Sequence, residues 1–357
     1  MPLKEKLLID RIRRTASRLR GPGLLGIGDD CAVLPLPRGH QALVTTDFSL
    51  EGVHFRREWH PPDAVGYRCL ARGLSDIAAM GGIPRAAFLS LALPPELSQK
   101  WVDEFVAGLL KLARRHSVTL AGGDTAQSPD GVLADIVVLG SVPSGKAILR
   151  SGAKPGDLLY VTGTLGAATA ALERLRAGEK LRPKSHLKHF YPEPRLAVGQ
   201  FLREKKLASA MIDISDGLST DLGHICEESG VGAVVYAEAV PIAVRSSDSE
   251  GLVSGHEFTR AESNSRKITG KESSGTTGSR ALTRSKESRE RALALALHGG
   301  DEYELLFTAP PNRGIPKEIA GVPITRIGEI LRGREVRLAT PDGRTQPLTP
   351  AGWQHFG

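Results

Sequence analysis

The stretch Met211-Ile212-Asp213-Ile214-Ser215-Asp216-Gly217-Leu218 constrains this chain more than any other. Ala210 to Ile214 is apolar except for Asp213, which predicts a short buried strand. A tight turn then leads into a helix carrying Leu218, Leu222, Ile225 and Cys226 on one face, with Ser215 or Asp216 placed to cap it. Two carboxylates and a hydroxyl thus crowd one strand end. Carboxylates packed that closely repel one another, so the arrangement is costly unless a cation is shared between them. Asp216 alone reads equally well as a plain helix cap, whereas a carboxylate inside an apolar strand is harder to dismiss.

The same theme recurs along the chain. Gly26 to Leu34 is a glycine-rich turn presenting Asp29 and Asp30 before an apolar run, and on an extended segment only one of the two can face a given site. Residues 41–47 read as a strand ending in Thr45-Thr46-Asp47. Pro61-Pro62-Asp63 opens a helix that stops at Gly81-Gly82, and Asp76 lies near its C-terminal end, where the dipole disfavours a negative charge. Either Arg72, four residues earlier, or a metal accounts for that carboxylate. Gly122-Gly123-Asp124-Thr125 reads as another glycine turn ending in aspartate, and Gly299-Gly300-Asp301 repeats it. One such aspartate means little, but Asp30, Asp47, Asp76, Asp124, Asp213 and Asp216 together suggest a multi-cation site between two domains. Hard oxygen ligands favour Mg²⁺ bound jointly with substrate phosphates. That chemistry is phosphoryl transfer, which needs positioning and charge neutralisation more than a covalent nucleophile. The near P-loop at Gly140 to Ala147 is rejected: Ala147 stands where a hydroxyl would hold magnesium, and Ser151 to Asp157 is turn chemistry instead of helix.

A chain of 357 residues is comfortable for two domains, and the second begins near residue 150, giving 1–148 and 149–357. Further helices are predicted over 3–20, 97–116, 166–177 and 195–207, and strands over 88–93, 132–142, 157–162, 232–237, 324–330 and 335–339. From 246 to 290 the composition changes: eleven serines, and Phe258 as the only aromatic, leave too little apolar surface to offset chain entropy, which predicts a mobile insertion. Cys31, Cys69 and Cys226 are odd in number and lack metal-site spacing, which fits a reducing, cytoplasmic setting. No run approaches the roughly 20 apolar residues of a membrane span. The net charge of +7 is concentrated in 1–20 and 180–206. Without interleaved aromatics or a nucleic-acid motif these read as solvated helix faces, with attraction of phosphorylated small molecules second.

Taken in order, Gly26 to Leu34, Thr45 to Asp47, Leu74-Ser75-Asp76-Ile77-Ala78-Ala79-Met80-Gly81, Gly122 to Thr125, Arg150-Ser151-Gly152-Ala153, Pro155-Gly156-Asp157 and Asp213 to Leu218 resemble the thiamine-monophosphate kinase family. The resemblance implies an α+β, two-domain aminoimidazole ribonucleotide synthetase-like fold, with a mixed sheet and packed helices in each domain. It further implies a homodimer joined through the N-terminal domains, and ATP-dependent phosphorylation of thiamine monophosphate to thiamine diphosphate. By the same resemblance Asp30, Thr45, Thr46, Asp47, Asp76, Asp124, Asp213 and Asp216 would bind Mg²⁺. Gly123, Asp124, Arg150 and Ser215 would touch ATP, and His54, Asp301 and Trp353 would meet thiamine monophosphate. No covalent nucleophile, nucleic acid or membrane is expected. Where the family reads Gly-Gly-Glu-Asp-Tyr-Glu-Leu, this chain has Gly-Gly-Asp-Glu-Tyr-Glu-Leu, so the carboxylate at 301 is one methylene shorter.

Overall fold

A computed structural model describes residues 11, 12, 14–16, 36–243 and 277–353, with side chains from Ser288 onward in the last segment. Four strands build the first sheet: β1 (His40–Leu50), β2 (Ile83–Leu93), β3 (Thr119–Gln127) and β4 (Leu133–Pro143), in the order β1-β4-β2-β3. Only the β2–β3 pair is parallel. Alternation decides which face is covered: Ala134, Ile136 and Val138 of β4 are buried under helix α1 (Pro62–Ala79) and α2 (Gln99–Arg115). Pro62 opens α1, where a missing N–H costs nothing, and the Ser98 hydroxyl caps α2 by accepting from Trp101 N at 3.2 Å.

Helix α1 is apolar nearly all round, because it is covered on both sides. One side meets the first sheet and α2; the other meets the C-terminal half. Across that second contact Gln200 Nε2 donates to Gly82 O at 3.0 Å, Tyr191 Oη to Asp63 Oδ2 at 2.8 Å, and the ring nitrogens of His60 and His189 lie 3.0 Å apart.

The second sheet draws on the rest of the chain: β5 (Leu158–Thr162), β6 (Ala210–Asp213), β7 (Gly232–Tyr236), β8 (Leu305–Ala309), β9 (Glu318–Ile319), β10 (Val322–Leu331), β11 (Val336–Ala339) and β12 (Thr345–Pro347). Its order is β12-β11-β7-β10-β5-β8-β6, with β9 on β10, and β7–β11 is a parallel pair in an otherwise antiparallel set. Helices α3 (Ala167–Arg176), α4 (Leu196–Glu204), α5 (Leu218–Ser229) and α6 (Thr277–His298) complete an α+β fold of two sheets with packed helices.

Two expectations change. Gly122-Gly123-Asp124-Thr125 lies inside strand β3 and is not a turn. A side chain at residue 123 would collide with the carbonyl of Leu89 on β2, and its φ of 147° suits glycine, so the glycine serves close strand approach just past the bulge between Leu120 and Gly122. The stretch expected to be mobile through 290 is helical from Thr277 onward. Good helix formers there (Arg, Ala, Leu, Lys, Glu) run without a break into the apolar Ala292 to Leu297. The rest of that insertion, 246–276, lies outside the described residues, as does the turn with Asp29, Asp30 and Cys31. After β4 the chain turns at Ser144-Gly145 and no helix follows, in keeping with the rejected P-loop.

Candidate active site

Strand β1 ends against α1, and its alternation sorts neighbouring side chains onto opposite faces. Leu43 and Ser49 are buried towards α1, so Thr45 and Asp47 point the same way. The Thr45 hydroxyl donates to Asp76 Oδ2 near the end of α1. Asp47 and Asp76 share a hydrogen bond; burial, and then the Asp76 charge, push Asp47 up to about 7 although Arg72 opposes the shift. Asp76 is raised as well, burial outweighing Thr45 and the Arg150 guanidinium. The next side chain inward, Ser75, donates to Asp213 Oδ2 at 2.6 Å, bringing in the carboxylate at the end of β6. Asp213 is only 4% exposed and is held well above the usual carboxylate range, first by burial and then by Asp76. Carboxyls from both halves therefore converge where water cannot separate their charges. Three carboxylates and a threonine are a hard-oxygen donor set, and a divalent cation among them would relieve the repulsion that raises their pKa values.

The turn after Asp213 is fixed differently from expectation. Neither Ser215 nor Asp216 caps α5: the N-cap is Gly217, without a side-chain bond. Instead Asp221, one turn inside the helix, reaches back to the N–H groups of Ser215, Asp216 and Gly217 at 3.1, 3.2 and 3.0 Å. Asp216, Asp221 and His224 each bring one donor atom to within 4.8 Å of the others. Ser215 is exposed beside them.

Asp301 is clamped between the halves. Arg68 of α1 reaches Asp301 Oδ2 at 2.8 Å, Arg72 reaches Oδ1 at 3.1 Å, and the Tyr303 hydroxyl donates to Oδ1 at 2.5 Å. Burial would raise its pKa, but Arg68 and Arg72 hold it well below the usual range. The Arg72 side chain is thus committed to Asp301 and to Phe48 O at 3.3 Å, and the suggested Arg72–Asp76 pair is replaced by this longer reach. Trp353, half-exposed, is tied to the 214–217 turn by its backbone N–H on Asp216 O at 3.1 Å. His54 lies just beyond β1, its Nδ1 accepting from Leu50 N at 3.0 Å.

Two of the predicted ligands face elsewhere. Phe48, Asp135, Ser90 and Asp124 stand in one row across β1, β4, β2 and β3, on the sheet face away from α1. Thr46 shares that face and donates to Asp135 Oδ1 at 2.7 Å, while Asp124 is exposed and accepts from Thr125 N. Thr46 and Asp124 therefore form a second oxygen-rich surface with Asp135, separate from the Thr45–Asp47–Asp76–Asp213 set. Gly123 lies beside Asp124 on β3, and Arg150 lies close enough to Asp76 to favour its ionised form.

Sequence reasoning passed over Asp135, Asp221, Arg68 and the fully buried Glu304. Charged residues at buried positions of regular elements were the available signal for two of them, Arg68 within an apolar helix and Asp221 one turn after the glycine that opens α5, whereas Asp135 sits on the open face of its strand and gives no such signal.

The domain models of AIR synthase related proteins match this chain in sequence, the N-terminal one over residues 28–142 and the C-terminal one over 154–338. Fold and site together thus define an AIR synthase related protein of two domains. The thiamine-monophosphate kinase of Escherichia coli (strain K12) is 37% identical over 358 residues, covering 97% of this chain and 97% of that one. A crystal structure of thiamine-monophosphate kinase from Stenotrophomonas maltophilia K279a is 35% identical, covers 96% of this chain and 98% of its own, and superposes with a TM-score of 0.74. AaThiL complexed with AMPPCP and TMP is 28% identical, with 100% and 99% coverage and a TM-score of 0.70. The chain belongs to the thiamine-monophosphate kinase family.

Proposed function

We propose that this protein transfers the γ-phosphoryl group of ATP to the phosphate of thiamine monophosphate, giving thiamine diphosphate and ADP. A phosphate oxygen of the acceptor attacks the γ-phosphorus in line, forming one P–O bond as the bond to the ADP oxygen breaks. The observation that carries this reading is the convergence of Asp47 and Asp76 from one half with Asp213 from the other. Relatives of similar length bear the same activity in their names, and AaThiL binds both an ATP analogue and TMP.

The donor set suits Mg²⁺, which when bound would neutralise charge on the phosphate oxygens. Asp47, Asp76 and Asp213, with Thr45, would hold it, and Asp216 would extend the site towards the nucleotide. Thr46 and Asp124, on the separate oxygen-rich face with Asp135, would add ligands there, Asp30 would join them by the family resemblance, and Gly123 and Ser215 would line the nucleotide. Arg150 would orient ATP phosphates through its fixed donor fork. On the acceptor side, Asp301 keeps 30% of its side chain exposed while Arg68 and Arg72 align it, so it can meet thiamine monophosphate together with His54 and Trp353.

The protein acts as a homodimer in this reading. Among the described residues strand β1 is an edge of its sheet, and it carries Val44 at 67% and Phe48 at 55% exposure, a surface suited to a second copy. The working compartment is the cytoplasm: Cys69 and Cys226 are free thiols, and among the described residues no helix is long and apolar enough to cross a membrane. The domains divide near residue 148, and 246–276 is a dispensable insertion.

Product analysis with ATP, Mg²⁺ and thiamine monophosphate tests the assignment, with free thiamine and aminoimidazole precursors as controls. Thiamine diphosphate from thiamine monophosphate alone is the expected result; turnover of another acceptor in its place would overturn it.

A further inference from the structure

Every peptide group between Ile214 and Gly217 is fastened, from two directions. On the N–H side the single oxygen Oδ2 of Asp221, a residue 1% exposed, accepts from Ser215, Asp216 and Gly217. On the carbonyl side Ile214 O accepts from Tyr303 N at 2.9 Å, Ser215 O from Asp301 N at 2.8 Å and Asp216 O from Trp353 N at 3.1 Å. The approach is close: a side chain at Gly300 would strike Ser215 O at 2.6 Å, and one at Gly352 would overlap Asp216 O. The segments bearing Asp301 and Trp353 are thereby hung on the same turn that presents Ser215 and Asp216.

We propose that Asp221 is a positioning residue: its carboxylate sets the 214–217 turn, and through that turn it fixes both the cation-side carboxylate of Asp216 and the acceptor-side segments at 301 and 353. The argument is one of connectivity. A helix N-terminus needs its free N–H groups satisfied, and a Ser, Thr, Asp or Asn at the N-cap usually does this. Here Gly217 occupies the cap and offers no side chain, and Asp221, from inside the helix, holds the cap's own N–H and the two N–H groups before it, so the turn is fixed without using the Ser215 or Asp216 side chain. Without Asp221 three buried or half-buried donors would lack their acceptor, and the turn would be held from the carbonyl side alone. The role needs an oxygen at the Oδ2 position; it does not need a negative charge.

This rests on the kinase reading, and two conservative variants separate placement from charge. Asp221→Asn keeps an acceptor oxygen in place without the charge; Asp221→Glu keeps the charge but moves it by one methylene. The first readout is Mn²⁺ binding in the presence of a non-hydrolysable ATP analogue, followed by electron paramagnetic resonance, which requires no turnover. The second is kcat and the KM for thiamine monophosphate. We expect Asp221→Asn to stay within about threefold of the parent protein, and Asp221→Glu to lose about tenfold in Mn²⁺ affinity, the order found for residues that orient metal ligands. KM for thiamine monophosphate rises in Asp221→Glu as well, because Asp301 and Trp353 hang on the same turn. Unchanged Mn²⁺ affinity in Asp221→Glu overturns the proposal. A tenfold loss in Asp221→Asn also overturns it, since the charge itself, as a direct ligand in the Asp216–Asp221–His224 group, would then be what matters. Failure of the parent protein to form thiamine diphosphate would defeat the kinase reading while leaving the Mn²⁺ result legible.

Discussion

Glu304→Gln is expected to lower the stability of the C-terminal half by about 3 kcal/mol, at the lower end of the cost of breaking a buried ion pair. Glu304 is fully buried at the entrance to β8. Its carboxylate accepts from Arg195 Nε and Nη2 at 2.7 Å each, from Lys188 Nζ at 2.8 Å and from Thr162 Oγ1 at 2.6 Å. Glutamine preserves the shape and one carbonyl oxygen, but it leaves two cations beside a neutral amide whose nitrogen now points at a donor. The damage should reach the 214–217 turn, because Ile214 N is bonded to Glu304 O at 2.8 Å. Urea unfolding of the parent, Glu304→Gln, Arg195→Met and the double variant gives the cycle. The double variant should be less destabilised than the sum of the singles, as the orphaned Arg195 charge is gone. Burial alone would raise the Glu304 pKa, but Lys188 and Arg195 hold it below its ordinary 4.5. A depressed carboxyl contributes stability above its unfolded pKa and loses it as pH falls through the folded one. The gap between parent and variant should therefore be full at neutral pH and close only below about pH 4.5. A destabilisation under about 1 kcal/mol at pH 7, the value of an exposed pair, would refute the reasoning.

Other expected outcomes follow from the site. Asp213→Asn should nearly abolish turnover with the fold retained, as should Asp216→Asn; parent-like rates in both at limiting Mg²⁺ would contradict the cation site. Arg150→Ala should raise the KM for ATP more than that for thiamine monophosphate, and steady-state kinetics showing the reverse would move Arg150 to the acceptor side. Replacing 246–276 by a short Gly/Ser linker while keeping α6 should leave kcat within a few fold, since loop entropy grows slowly with length; a large loss of kcat would instead make the insertion part of the site.

Periodicity was enough to find the long elements. Helix α1 was expected between Pro61 and Gly81 and spans Pro62–Ala79, and the run from Gln99 to Arg115 matches the predicted amphipathic helix over 97–116. Asp213 was legible because a carboxylate in an apolar strand has no bland explanation. What escaped was anything set by register or by distant pairing. Thr45 and Thr46 are neighbours in sequence and, for that reason, cannot share a face of β1; which one meets Asp76 depends on how β1 pairs with β4. Gly122-Gly123 looked like a turn because only the neighbouring strand's carbonyl explains glycine there. Arg72 was matched to Asp76 by helical spacing, whereas its partner Asp301 lies 229 residues away.

The double covering of α1 has a consequence while the chain is still being made. Its first face can be buried as soon as the four-stranded sheet is complete at Pro143, but α4 and the loop with His189 and Tyr191, which cover the second, emerge later. The turn with Asp301, which neutralises Arg68 and Arg72, is translated later still. At roughly 5–20 residues per second, the nascent N-terminal half presents an apolar helix face for seconds, and two uncompensated arginines for longer. That interval, before the second face is covered, is when the chain is most open to aggregation.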